Sequence, residues 1–573
     1  MSRRGFTLAA AIAALPLSAQ GQNSATCRYL PTDVEWPSTT QWNELNSTVG
    51  GRLVATVPLA SVCHDPNFDS ARCSSVRSDW TLPLFHEESP SSILAPYYQN
   101  QSCDPFTPQS QPCVLGNYVS YSINASSADD IAAGISFAKT NNIRLVIKNT
   151  GHDYLGRSTG TGALSLWTHN LRNATFHPSY ASPSYTGPAI TFGAGTRGFE
   201  AIDFAHEHGV QVITGSCPTV GIAGGFLQGG GSGPLASTRG MAADQVLELE
   251  VVTAGGELMV ASPAQNQDLY WAMSGGGGSS YGVVVAVTLR AFADGVVGGA
   301  SLAFSRTNLS SEVVYEEVFG HVLDSVSALI DAGMHFTYTM TPVGFSLGPL
   351  TAPGFTVERL RAALAPFTSR LDELGIEYSL NVTSFPDYKS HFWNYWGPYP
   401  AGPFLADSMP GTRLIPRESL SVNRTALIDV TRNITENSST VIVYIAANLT
   451  HTANKQPIAE NAVLPQWRRA AVHALGTLGW DYTIPQSDML ARQAELVNEV
   501  VPQLRAVLPA DAGTYLNEAE IDNKNWKQDF FGANYERLRE VKSTYDPDRV
   551  FYAEYGVGSE DWIRAGDGRL CRV

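Results

Sequence analysis

Gly215-Ser216-Cys217-Pro218-Thr219-Val220-Gly221, continued by Gly224-Gly225-Phe226-Leu227-Gln228-Gly229-Gly230-Gly231-Ser232-Gly233, places one thiol in a stretch dominated by glycine. Glycine-rich turns offer backbone N–H groups to an anion without side-chain cations, so the stretch suits the phosphates of a nucleotide cofactor. Upstream, Val146-Ile147-Lys148-Asn149-Thr150-Gly151-His152-Asp153-Tyr154 sets a histidine in a second turn of the same kind.

Around these turns hydrophobic periodicity predicts an α/β alternation: a helix over Ala128 to Thr140 behind an Asn/Ser cap, strands over Arg144 to Lys148 and Ala189 to Phe192, and a helix over Phe199 to His208. Leu247 to Thr253 and Leu258 to Ala261 flank Gly255-Gly256 as a hairpin, and Val283 to Arg290 reads as a further strand. Beyond 292 longer helical patterns, Glu312 to Asp331 and Thr356 to Leu374, mix with strands His335 to Met340 and Thr440 to Ala447. This predicts a second lobe with an antiparallel sheet covered by helices. A single hydrophobic core rarely serves 573 residues, which agrees with two lobes.

The seven cysteines are an odd number. Short spacings suit Cys63 to Cys73 and Cys103 to Cys113 as local loops, which leaves Cys27 and Cys571 to tie the chain ends and Cys217 unpaired. A free cysteine is often inert core, but the glycines around this one argue for chemistry. Arg3 and Arg4, the apolar stretch Phe6 to Leu17 and Ala19-Gln20-Gly21 fit a secretory signal over 1–21. Ten Asn-x-Ser/Thr sequons, at Asn46, Asn100, Asn124, Asn173, Asn308, Asn381, Asn423, Asn433, Asn437 and Asn448, agree with a secreted glycoprotein. No segment is long and apolar enough to span a membrane. A net charge of -16 and a pI near 5.2 argue against nucleic acid and anionic membranes, whose partners carry basic surface. Small molecules are the expected partners, and a monomer the expected state.

The two glycine turns, their spacing and the tail Tyr515-Leu516-Asn517, Trp526, Phe530-Phe531-Gly532, Asn534-Tyr535 and Tyr545-Asp546-Pro547 resemble the berberine bridge enzyme-like FAD-linked oxidases of the vanillyl-alcohol oxidase superfamily. The layout is most similar to the fungal isoamyl alcohol oxidase-like branch. The resemblance covers roughly 118 to 292 and 513 to 556. It implies an α+β, two-lobed fold: a Cys/Pro-rich extension over 22–117, a PCMH-type FAD-binding domain over 118–292, a substrate domain over 293–512, and a C-terminal segment over 513–573 that returns to the FAD lobe.

By the same resemblance FAD is the cofactor, linked through a ring nitrogen of His152 to the flavin 8α position and through the sulfur of Cys217 to the 6 position. Lys148, Asn149, Thr150, Gly151, Asp153, Tyr154 and Ser158 align with the pyrophosphate side. Gly215, Val220, Gly221, Gly224, Gly225, Gly229, Gly230 and Gly233 run past the ring. Asp244 and Val246 align with the adenine and ribose side, and Asn517 with the tail's contribution. Val220 stands where a leucine in related proteins blocks oxygen, which implies an oxidase that passes electrons to O2 and releases hydrogen peroxide.

Oxidation of an alcohol needs a base for the O–H proton. Carbohydrate oxidases of the family carry Tyr-x-Asn-Tyr where this chain has Tyr515-Leu516-Asn517-Glu518, so Glu518 or Tyr515 is the candidate base. Tyr154 aligns with a residue lining the substrate cavity. The aromatic run His391 to Tyr399 either stacks on substrate or packs under a loop. Arg413 to Arg417 is expected at the lobe boundary, away from substrate.

Three other motifs are set aside. Gly193-Ala194-Gly195-Thr196-Arg197-Gly198 fits G-x-G-x-x-G but lacks the acidic residue a nicotinamide fold requires. Gly278-Ser279-Ser280-Tyr281-Gly282 fits G-x-S-x-G but precedes a strand rather than a helix. His206-x-His208 has no ligand partner nearby in sequence, so no metal is expected. The expected activity is two-electron oxidation of an alcohol. Oxidative bond formation on a secondary metabolite, carbohydrate oxidation and a non-catalytic flavin-binding role are the competing readings.

Overall fold

The computed structural model describes residues 27–308, 312–398, 400, 402, 404–450 and 460–573; the candidate signal over 1–21 and Tyr399 of the aromatic run lie outside them. The fold is α+β and built on three main sheets. Parallel strands Leu145–Lys148, Leu164–Trp167 and Tyr121–Asn124 form the first, and the helix Ala128–Thr140 covers it. That helix starts where Ser127 caps it, with Asp129 and Asp130 in the first turn where the helix dipole favours negative charge. Its apolar face, Ile131, Ile135 and Ala138, packs on Ile123, Leu145, Leu164 and Leu166. Truncating a fully buried Ile135 to alanine would cost about 2–5 kcal/mol.

The extension before residue 118 is part of this sheet rather than a separate wrap. Leu53–Ala55 pairs antiparallel with Tyr121–Asn124, Leu53 opposite Ile123. The short helix Pro83–Glu87 delivers a fully buried carboxylate at Glu87. A second, antiparallel sheet runs in the order Ala174–Ser182, Tyr185–Gly193, Val283–Arg290, Val246–Val252, Leu258–Ala261. Cys27–Cys571, Cys63–Cys73 and Cys103–Cys113 are bridged, and Cys217 is free.

The chain leaves the second sheet at Arg290 and enters the third at Val297. This seven-stranded antiparallel sheet carries helices Glu312–Asp331, Val357–Glu373 and Arg424–Asn437. Strand side chains alternate between faces. Phe336, Tyr338, Ile442, Tyr444 and Ala474 go to the helix-covered core, whereas His335, Thr337, Val443, Ile445, His473, Leu475 and Thr477 line a cavity on the other face.

The C-terminal segment closes that cavity. Leu516, Phe530, Phe531, Leu538 and Val541 join the core around the second sheet, and Lys542 donates to the Ser280 and Phe551 carbonyls at 2.8 and 3.0 Å. Arg413, 3% exposed, ties the segment to the third sheet through Thr514 and through ion pairs to Glu520 (3.4 Å) and Asp529 (3.2 Å). Arg417 pairs with Asp331 at 2.8 Å within the third-sheet lobe, and residues 413–417 are not among those lining the cavity. No helix among the described residues is long and apolar enough to cross a membrane.

Candidate active site

A cavity of about 590 Å³ runs from the glycine turns to the face of the seven-stranded sheet. One wall is the turn that follows strand Leu145–Lys148. Ile147 and Asn149 face the cavity by strand parity, and Thr150, Gly151, His152, Asp153, Tyr154 and Ser158 continue the wall. The same parity sends Lys148 away. Its buried ammonium donates to the carbonyls of His86, Ser89 and Ser92 (3.3, 2.6 and 2.9 Å), so it anchors the N-terminal segment instead of meeting a phosphate. Burial pulls its pKa down to about 7, against the opposing charge of Glu87.

The second wall is Gly215, Ser216, Cys217, Val220, Gly221, Gly224 and Gly225, faced by Gly278 and Ser279. Gly233 also lines it, for a reason of packing: a Cβ there would collide with the Thr214 carbonyl. Gly229 and Gly230 do not line the cavity; a Cβ on Gly229 would land on the Asn517 amide, which its glycine admits into the site. Asp244 and Val246 are outside as well. Asp244 accepts from Arg468 (2.9 and 2.6 Å) and Asn461 (2.7 Å); burial works to raise its pKa, but these partners hold it below the usual carboxylate range. Val246 is a core residue whose carbonyl accepts from the Tyr270 hydroxyl.

His152 and Cys217 meet through one hydroxyl. Thr219 Oγ1 lies 2.8 Å from His152 Nε2 and 3.4 Å from Cys217 Sγ. The other neighbour of Nε2 is Glu87 Oε1 at 3.0 Å; Asp153 instead accepts from the Arg157 backbone N–H. Burial pushes the Cys217 thiol up to about 11, with Thr219 pulling the other way.

At the substrate end Tyr515 is 3% exposed, and its hydroxyl accepts from Asn517 Nδ2 (2.9 Å) and from the Ser232 N–H (3.4 Å). Burial, then the charge of Glu518, outweigh these bonds and push the phenol far above its ordinary value, which favours its protonated form near neutral pH. Burial does the same to Tyr154. Glu518 differs. About a third of its side chain faces the cavity, its Oε2 lies 3.5 Å from His473 Nδ1, and burial pushes its pKa up to about 7. Burial brings His473 down to about 3 and His335 to about 4, so both rings are neutral at neutral pH.

His473, Asp407 and Glu87 went unnoticed in the sequence, and Thr219, Gly278 and His335 were read there only as parts of longer stretches, without a site role. Of the aromatic run, His391 and Phe392 are buried, His391 Nε2 lies 2.9 Å from Thr351 Oγ1, Trp393 is exposed, and Trp396 alone of the described run reaches the cavity. His206 does acquire carboxylate neighbours, Asp294 and Asp387 at 3.9 Å, because the fold gathers distant loops. Both carboxylates already serve backbone N–H groups, of Tyr388 and Ser390.

The lining fits a flavin dinucleotide. Beyond the glycine wall, the amide oxygens Asn149 Oδ1 and Gln228 Oε1 are buried at the cavity without a hydrogen-bond partner among the described residues. Residues 119–262 match the FAD binding domain family and 514–558 the berberine and berberine-like family. The chain is 44% identical over 553 residues, 96% of each chain, to the FAD-linked oxidoreductase patO of Aspergillus clavatus. It is 41% identical over 587 residues, the whole of both chains, to the bifunctional decalin synthase calF of Penicillium decumbens. The crystal structure of the VAO-type flavoprotein MtVAO615 from Myceliophthora thermophila C1 superposes with a TM-score of 0.92 at 41% identity, covering 96% of this chain and 100% of that one. A glucooligosaccharide oxidase from Acremonium strictum, described with 6-S-cysteinyl, 8α-N1-histidyl FAD, shares the fold at 18% identity, a TM-score of 0.63 and coverage of 77% and 92%.

The chain therefore belongs to the berberine bridge enzyme-like, VAO-type flavoproteins. It is an FAD-linked oxidoreductase.

Proposed function

We propose that this protein is a secreted oxidase that carries FAD on both His152 and Cys217 and oxidises a hydroxyl group of a largely apolar small molecule. The observation that carries the reading is Glu518: a carboxylate with a pKa near 7 and an unpartnered oxygen beside neutral His473, at the end of the cavity that also holds His152 and Cys217. Bound FAD supplies a two-electron acceptor for hydride. The Glu518 carboxylate takes the hydroxyl proton, and the protonated phenols of Tyr515 and Tyr154 orient the substrate oxygen by hydrogen bonding.

Val443, Ile445, Leu475, Pro410, Trp396 and Phe404 make the substrate wall mostly apolar, which favours an aliphatic or aromatic alcohol over an oligosaccharide. Val220 lines the cavity, and a side chain of that size in place of leucine supports O2 as the electron acceptor. The three disulfides and the sequons support an oxidising, extracellular route. Oxidative ring or bond formation on a secondary metabolite is the second reading, favoured by the same apolar wall and by the decalin synthase relative. Peroxide release across a panel of alcohols, sugars and aromatic metabolites separates the two. Flavin that stays in the acid-precipitated protein, and a flavin-sized mass on both the His152 and Cys217 peptides, supports the attachment; a colourless pellet rejects it.

A further inference from the structure

We propose that Glu87, from the N-terminal segment, is the positioning residue that selects the ring nitrogen of His152 for flavin attachment. The inference rests on the reading that His152 carries the cofactor. Glu87 is fully buried; Oε1 lies 3.0 Å from His152 Nε2, and its other oxygen lies 3.6 Å from the Arg197 guanidinium, which supplies the countercharge.

An ionised carboxylate can only accept a hydrogen bond, and a neutral imidazole holds its proton on one nitrogen. Glu87 therefore places the His152 proton on Nε2. Nδ1 is left with the free lone pair, and His152 itself lines the cavity. Thr219 cannot make this choice alone, because its hydroxyl can donate to Nε2 as readily as accept from it. The segment before residue 118 thus supplies a group to the cofactor chemistry as well as a strand to the sheet.

Attachment forms an Nδ1–C8α bond and breaks a C8α–H bond. Once Nδ1 is alkylated the ring becomes neutral by giving up its Nε2 proton, and Glu87 is placed to receive it. The C8α and Nε2 protons match the two electrons left in the flavin ring. Dioxygen then takes both electrons and both protons as hydrogen peroxide, and the oxidised, linked cofactor remains.

The test is peptide mass mapping of wild type, Glu87→Gln and Glu87→Ala, each purified with its flavin. The glutamine keeps the volume and packing should alanine fail to fold. Groups hydrogen-bonded behind a metal-ligating histidine commonly act by about 10–100-fold, and on that analogy flavin on the His152 peptide is expected to fall at least about tenfold in both variants. Flavin on the Cys217 peptide and the melting temperature are expected to stay at wild-type levels, which a purely structural role for Glu87 would not give. Undiminished His152 labelling in Glu87→Gln overturns the proposal, as does parallel loss of both linkages. Absence of His152 labelling in wild type overturns the attachment itself, and the role of Glu87 with it.

Discussion

Oε2 of Glu518 stands 3.5 Å from Nδ1 of His473, and neither Oε2 nor the histidine's Nε2 has a hydrogen-bond partner among the described residues. One residue comes from the C-terminal segment and the other from strand Ala470–Gly479, next to the edge of the third sheet, so the pair forms only when segment and sheet dock. Two buried polar atoms left free in this way are costly unless a ligand completes them.

Glu518→Gln is expected to slow flavin reduction by about 10²–10⁴-fold, the range for removing a general base. Tyr515→Phe should cost much less. Anaerobic stopped-flow reduction of the two variants by the same alcohol distinguishes them, and equal losses would reassign the base.

The rate constant for reduction at low substrate should rise with pH through about 7. The sign follows from the role proposed for Glu518: a base must be the carboxylate, burial holds it protonated at pH values where an exposed glutamate has already ionised, and activity is expected to fall as pH drops below that value. Glu518→Gln should flatten this limb of the profile.

Arg413→Ala leaves Glu520 buried without its ion-pair partner and Asp529 with Arg505 alone. A loss of about 3–5 kcal/mol in unfolding free energy is expected from breaking a buried pair on one side. Urea titration monitored by tryptophan fluorescence measures it.

Of the ten sequons, Asn448 should carry no glycan. Its side chain is 3% exposed, donates to Asp331 at 2.6 Å and accepts from the Thr450 N–H at 3.0 Å. Glycopeptide mapping of protein from a eukaryotic host checks this directly.

The helix Ala128–Thr140 and the hairpin strand Leu258–Ala261 were legible because their periodicity is strong and local. His152 and Cys217 were legible because glycine turns mark them. Lys148 was misplaced by treating a motif as a list of contacts: alternation along its strand sends Ile147 and Asn149 inward and the lysine outward. His335 and Thr337 did carry a signal, since they alternate with Phe336 and Tyr338, but a polar strand face reads as solvent until a second layer is known to cover it. Glu87 carried none. It sits in a Pro- and Ser-rich stretch without periodicity, and its partner is 65 residues away.

The bridge from Cys27 to Cys571 closes nearly the entire polypeptide into a ring. A protease that cuts one surface loop inside that ring would therefore release nothing: the two pieces run as one band on a gel without thiol and separate when reductant is added. An enzyme working among extracellular proteases would keep its halves together after a single nick.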